Sequence, residues 1–371
     1  MSTLEKSRTL FQKLPVTRCT DIVILVFLAV FPLFVKEFRV EMMGSFICYA
    51  IFALSLDLLW GYTGLLSLGH AVLFGMGGYM IGLSYQIQNG VVPAFMQREG
   101  ITEIPWFYLP LTNPIAAAII GIVFPAAFAF LIGKFVFSSK IKGVFFTIIT
   151  LALAQIFKDF IINLQKYTNG FNGLQSIQRF AVGGSAPLTK TQYYYVILGI
   201  GVAVFLFCLW LTNSRIGKVC TSVRENESRL GFLGYNTSAY KILIYTVSGA
   251  LAGLAGVLYA PCTSTITTED IGVAASTMAV IRVAVGGRGN LTGAVVGTLL
   301  VSWAQSLLSE HFSGYWQLII GVLLLAVIYF IPEGIMGRII KLTHRTSGGS
   351  SRTKAVHNRK ITGKVVSLQR R

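Results

Sequence analysis

The sequence predicts an all-α, polytopic membrane protein with about ten transmembrane or re-entrant helices and both termini in the cytosol. Three observations carry this. Of 371 residues, 54% are hydrophobic and only 12% charged, too little polarity to cover a water-soluble surface. Uncharged runs such as Ile22–Val35, Ala116–Leu131 and Leu318–Ile331 approach, with their flanks, the roughly 20 residues that a helix needs to cross about 30 Å of hydrocarbon. They are continuously apolar rather than alternating, which selects helices over a closed barrel. The third observation is the placement of charge. Of the 31 Lys and Arg, 23 fall in Met1–Thr20, Lys134–Lys142, Arg215–Lys241, Gly286–Asn290 and the tail from Gly337, against six in the alternate loops. Ten spans with both ends inside produce this bias, and an odd count would split it. The net charge of +17 is thus a topology signal before it is a nucleic-acid signal.

Cutting the chain at charge clusters and at Pro/Gly/Asn-rich stretches gives spans near 21–36, 42–60, 64–85, 112–133, 143–164, 191–212, 241–262, 271–286, 290–309 and 315–336. Asp21–Val35 follows a basic segment, like a signal peptide, but no small-residue cleavage pattern follows and Lys36 and Glu37 close the run. It reads as a retained first span. The span at 64–85 is glycine-rich and that at 271–286 is short, so either is broken or re-entrant, which is tolerable only when buried in protein. Gln86–Leu111, with Pro93, Pro105 and Pro110, and Gln165–Lys190, with Gly170-Phe171-Asn172-Gly173, form the larger outer loops. The organisation is a cytosolic segment 1–20, a membrane domain 21–337 and a tail 338–371. The tail is basic and poor in large apolar residues, which predicts disorder and contact with anionic lipid rather than nucleic acid. Cys19, Cys48, Cys208, Cys220 and Cys262 form no CxxC pair and read as small hydrophobes.

Ser214–Tyr235 is a charged, amphipathic, helix-forming segment inside this apolar chain. Ile216, Val219, Cys220 and Val223 share one face, Lys218, Arg224, Glu225 and Arg229 lie elsewhere, and Glu225 and Arg229 have the spacing of a favourable pair. Gly231 and Gly234 interrupt it. Such a helix fits a groove of another protein or lies on lipid. The run Gly61–His70, continued by Gly75, Gly77, Gly78 and Gly82, allows close helix approach. His70 is the only histidine inside an apolar span, and an intramembrane ionisable group suggests function, although a neutral histidine bonded to a neighbouring helix fits equally. Ser67, His70, Thr147 and Thr150 are the candidate pathway residues, chosen for polarity in Gly-rich or apolar surroundings. Asp57 can pair internally or accept from backbone groups. Gly249/Gly253 and Gly293/Gly297 are GxxxG pairs, a packing signal. Gly286-Gly287-Arg288-Gly289 lacks the GxxxxGK[ST] pattern and reads as a turn between spans. The sequence has no Walker A loop, HExxH, metal-spaced Cys/His cluster or nucleophile elbow. These absences predict a chain that is no enzyme and holds neither metal nor cofactor. Few buried carboxylates also weaken a proton- or sodium-driven carrier.

Leu56-Asp57-Leu58-Leu59-Trp60-Gly61-Tyr62-Thr63-Gly64-Leu65-Leu66-Ser67-Leu68-Gly69-His70 resembles the second and third spans of the high-affinity branched-chain amino acid permeases of ABC importers, and most of all their urea subgroup. Ile141–Thr150, Asn169–Leu174, Ser214–Gly217 with Val223–Glu227, and Val283–Gly289 match in order, so that the resemblance covers most of residues 20–337. It implies that Ser214–Tyr235 holds a coupling helix seated in a cleft of an ATP-hydrolysing subunit, with Arg215, Gly217, Lys218, Arg224, Glu225, Glu227 and Gly234 as the transmission residues. It also implies two ABC ATPase subunits, a second homologous permease, a periplasmic or extracellular solute-binding protein, and the bacterial plasma (inner) membrane as location. Trp60 and the Val-Ala-Val-Gly-Gly-Arg-Gly turn favour urea, moved by ATP-driven alternating access. The alternatives are a permease for leucine, isoleucine and valine, or a passive channel. Two departures from the urea type are Arg282, where an aromatic residue is common, and Leu151, where a polar one is. Arg282, close to the Gly286 turn, is expected to snorkel to the cytosolic interface.

Overall fold

The computed structural model describes residues 14–87, 90–139, 143–180, 187–311 and, beyond them, 314, 315, 318, 319, 321, 322 and 334–338. Its main elements are α1 (Leu14–Val30), α2 (Glu37–Thr63), α3 (His70–Ile87), α4 (Pro114–Ser138), α5 (Gly143–Asn163), α6 (Lys190–Asn213), α7 (Arg215–Phe232), α8 (Thr237–Thr263), α9 (Val273–Gly286) and α10 (Leu291–His311). Among the described residues, α2, α4, α5, α6, α8 and α10 are long and apolar enough to cross a membrane, while Thr20–Leu33 and α9 are shorter apolar helices. The expected span at 315–336 and the tail lie mostly or wholly outside the described residues.

Local chemistry sets the helix ends. Asn113 caps α4 by accepting from Ile115 N at 2.9 Å, with Pro114 at the first helical position. Thr189 and Gln192 form a reciprocal capping box that starts α6. Gly64, at φ 81°, ends α2 in the left-handed conformation that costs glycine least. The expected second span, 42–60, therefore extends at both ends. The expected span 64–85 is broken: residues 64–69 are not helical, and α3 begins only at His70.

The centre of the molecule is α8, packed against α4, α3 and α2. Such crossings need small residues, and a Cβ on Gly77 of α3 would run into the Gly253 carbonyl of α8. Gly249 and Gly253 face Ala129 and Pro125 of α4, and Gly293 and Gly297 of α10 face Gly286 of α9, so both GxxxG pairs pack helices. α2 is buried along nearly its whole length, which explains its lack of a polar face, whereas α4, α5 and α6 bury one stripe each. Their outer faces carry Phe130, Leu131, Phe135, Val144, Phe145 and Leu206, exposed to the surroundings, as lipid or another apolar partner requires.

Among the described residues the all-α expectation has one exception, a two-stranded antiparallel ribbon, β1 (Leu174–Gln175) with β2 (Thr265–Ile266), in the loop regions. Lys158 bridges to Glu269 at 2.7 Å and Lys190 to Glu41 at 2.6 Å on the same side. Cys48, Cys208, Cys220 and Cys262 are buried free thiols. Arg282 does not snorkel. Its side chain is buried, with the guanidinium carbon 3.9 Å from the centre of the Tyr49 ring and Nη2 3.4 Å from Gln305 Oε1. A side chain on a helix leans toward the N-terminus, away from the Gly286 end and into the bundle.

Candidate functional site

Ser214 starts α7 by accepting from Gly217 N with its side chain. The apolar stripe is real: Gly217, Cys220, Val223 and Leu230 are buried, while Lys218, Glu225 and Arg229 face outward. Burial pushes the Cys220 thiol up to about 12, so it serves packing and stays protonated. The break falls at Asn226 rather than at Gly231. Asn226 leaves helical geometry, at φ −160° and ψ 93°, and its Oδ1 accepts from Arg229 N at 2.9 Å, which starts a second short helix. That kink separates Glu225 from Arg229, which form no ion pair among the described residues. Beyond it, Phe232 and Leu233 are exposed, 92% and 70%, an apolar tip before Gly234, whose φ is 84°.

Two side chains clamp α7 to the bundle. Arg224 Nη1 donates to the Gly61 carbonyl at the end of α2. Glu227 Oε1 accepts from Lys241 Nζ and, at 3.1 Å, from Thr237 Oγ1, both on the first turns of α8. Lys241 is 5% exposed and lies 5.8 Å from the Phe137 ring centre. The clamps therefore reach the most buried helix and the central one. Arg215, Lys218 and Glu225 are exposed and available to a partner.

The Arg224 clamp belongs to a larger junction. Asp57 Oδ1 accepts from Gly289 N at 2.8 Å, joining α2 to the α9–α10 turn. Gly289 has φ 74°, and a Cβ there would meet Arg224 Nη1 at 3.1 Å. Arg288 stacks its guanidinium 5.2 Å from the Trp60 ring centre. Burial and the nearby Arg224 charge lower the Arg288 pKa from its ordinary value.

The candidate pathway residues form a second cluster around the broken segment 64–69. Thr147 Oγ1 donates to the Leu66 carbonyl at 2.7 Å, and Leu68 N donates to Thr150 Oγ1 at 3.2 Å. Two side chains of α5 thus satisfy backbone that no helix bond serves. Ser67 is fully buried beside Tyr245. His70 Nε2 is 2.9 Å from Ser55 Oγ and 3.2 Å from Ser248 Oγ, and its ring stacks on Phe52. Both hydroxyls donate to carbonyls, of Phe52 and Ser55, so Nε2 is placed to donate to them, and His70 ties α2, α3 and α8 together.

The sequence reading missed the Phe232-Leu233 tip, the Asn226 kink and the Glu227–Lys241 clamp. The first two had a signal: adjacent large apolar residues in a polar stretch, and an asparagine in a helix that lacks other reasons to be there.

A bundle of helices long and apolar enough to cross a membrane, with an amphipathic helix clamped at one end, fits a membrane permease domain. The family described as "Branched-chain amino acid transport system / permease component" matches residues 38–328, and the chain belongs to it. It is 24% identical to the high-affinity branched-chain amino acid transport system permease protein LivM of Salmonella typhimurium, over 84% of this chain and 73% of that one. It is 26% identical to LivH of the same organism, over 78% and 91%. It is also 23% identical to BraD of Pseudomonas aeruginosa, over 78% and 92%. No solved structure matches the chain. The family consists of permease subunits of ABC transporters, in which ATP hydrolysis lies on separate subunits. The chain is accordingly a non-enzymatic protein of the inner membrane.

Proposed function

We propose that this chain is one permease half of an ABC importer for a branched-chain amino acid, leucine, isoleucine or valine. The urea reading, which rests on Trp60 and the glycine turn, has less support than the amino-acid one. The family description and the relatives LivM, LivH and BraD all carry the amino-acid name. The importer assembles with two ABC ATPase subunits, a second homologous permease and a solute-binding protein, with both chain ends in the cytosol.

The observation that carries the mechanism is the double clamp of α7 on Gly61 and Lys241. The Phe232-Leu233 tip, with Arg215, Lys218 and Glu225, docks on an ATPase. Its closure moves α7, and Arg224 and Glu227 pass the motion to α2 and α8. Gly217 allows α7 to turn tightly against the Thr212 carbonyl, and Gly234 lets the chain return toward α8. Ser67, His70, Thr147 and Thr150 act as positioning residues that hold the broken segment 64–69 in the pathway wall, rather than as direct solute ligands.

The test is uptake of labelled leucine and labelled urea by proteoliposomes holding the complete importer, with an intact or a Walker-A-disabled ATPase. Leucine entry that needs the intact ATPase is the expected result. ATPase-dependent urea entry without leucine entry would restore the urea reading, and entry indifferent to the ATPase would make the chain a passive channel.

A further inference from the structure

Arg282 is a buried cation whose role the coupling mechanism does not explain. Its side chain is 4% exposed. It projects from α9 over Tyr49, which stands midway along the membrane-crossing helix α2, so the guanidinium lies at mid-depth of the bundle. A charge held there is costly and usually paired. Yet no carboxylate pairs with it among the described residues. Asp270 makes no direct contact with the guanidinium: it accepts from Thr267 N and Oγ1 at 2.9 and 2.8 Å and bonds the Tyr259 hydroxyl, one tyrosine removed from Tyr49. Glu41 is taken by Lys190 and Arg179, Glu269 by Lys158, and Asp57 by Gly289. Nη2 donates to the neutral Gln305 Oε1 at a long 3.4 Å, the Tyr49 hydroxyl is within bonding reach, and Nε has no partner among the described residues.

The surroundings favour a cation without neutralising it. The Tyr49 ring face stabilises the guanidinium, and Tyr49 Oη donates to Tyr259 Oη at 2.9 Å, which fixes the ring. Gln305 is half-buried and, two residues from each, lies on the opposite side of α10 from the exposed Trp303 and Leu307. A guanidinium fork matches the two oxygens of a carboxylate, whereas neutral urea would leave the positive charge uncompensated.

We infer that Arg282, with Gln305 beside it, is a binding station for the carboxylate of the amino acid in transit. This rests on the amino-acid reading proposed above and adds the group of the substrate that the membrane domain recognises. Tyr49 is a positioning residue that presents the guanidinium. The amino acid's carboxylate supplies, at mid-depth, the counter-charge that no described carboxylate supplies by direct contact, and the next conformational step releases it.

The experiment compares wild type, Arg282→Gln and Arg282→Lys in the complete importer in proteoliposomes. Two quantities are read, ATP-driven uptake of labelled leucine and ATP hydrolysis stimulated by leucine-loaded binding protein. In Arg282→Gln, uptake should fall roughly 30-fold or more, as when one member of a desolvated charge pair is deleted, with stimulated hydrolysis within about two-fold of wild type. Arg282→Lys, which keeps the charge and loses the fork, should recover part of the uptake. Wild-type uptake in Arg282→Gln overturns the inference. Loss of assembly or of stimulated hydrolysis together with uptake also overturns it, because Arg282 would then be a packing residue. A wild-type importer that moves urea and not leucine fails the amino-acid reading itself, before any variant is compared.

Discussion

Asp57 accepts one hydrogen bond from a residue 232 positions away, and that bond fixes where the α9–α10 turn meets the end of α2. Replacing Asp57 with Ala leaves the half-buried Gly289 N–H without its acceptor, at a cost of about 1 kcal/mol. Asp57→Asn keeps an oxygen acceptor and should cost less. Thermal unfolding of the purified importer should therefore rank wild type, Asn and Ala in that order, with leucine uptake following the same rank. Equal midpoints for wild type and Asp57→Ala would show that the bond contributes nothing. That Asp57 would either pair internally or accept from backbone was legible in the sequence, because an isolated carboxylate in an apolar run must find donors nearby. That Gly289 would be the donor was not, since only the packed bundle brings the two together. Arg282 illustrates the opposite failure. Its nearness to Gly286 in sequence suggested escape to the interface, but the lean of a helical side chain carries it inward, toward Tyr49.

At the scale of the element, α7 is two short helices joined at Asn226, each with its own clamp. Arg224 precedes the kink and holds α2; Glu227 follows it and holds α8. A push on the Phe232 end can therefore move α8 and α2 unequally, which a single rigid helix could not do. Asn226→Ala removes the cap of the second half, worth about 1 kcal/mol, and favours one continuous helix. The expected outcome is uncoupling: ATP hydrolysis continues, and the leucine moved per ATP hydrolysed falls. The measurement is that ratio in proteoliposomes, and an unchanged ratio would rule out a mechanical role for the kink. The amphipathic face of α7 was readable from its period, since apolar positions recur with helical spacing. The Glu225–Arg229 pair was also read from spacing and does not form, because spacing assumes a continuous helix. The break at 64–69 was visible for a related reason, as glycine-rich sequence makes a poor helix, but its repair by Thr147 and Thr150 depends on α5 arriving from elsewhere.

For the whole molecule, the placement of charge and the positions of α7 and of the β1–β2 ribbon make one joint claim about orientation. The loop holding the short helix Ala94–Arg98, the ribbon and the Lys158–Glu269 and Lys190–Glu41 bridges lie on one side of the membrane-crossing helices. The Arg224, Lys241 and Arg288 contacts lie at the other ends of those helices. Arg215, Lys218, Arg224, Arg229, Lys241 and Arg288 also lie on the second side, and under the orientation proposed above that side faces the cytosol. Cys48, Cys208, Cys220 and Cys262 are buried, so in a Cys19→Ser background single cysteines added at exposed positions can be read against the parent chain as a blank. Glu99→Cys should react with a membrane-impermeant maleimide in intact cells, whereas Ser222→Cys should react only after the membrane is opened. The reverse pattern would turn the molecule over, put the α7 tip outside and leave an ATP-driven partner nothing to grip. Labelling of both in intact cells would mean that α7 is not a cytosolic coupling element, and the transmission route through Arg224 and Glu227 would fall with it.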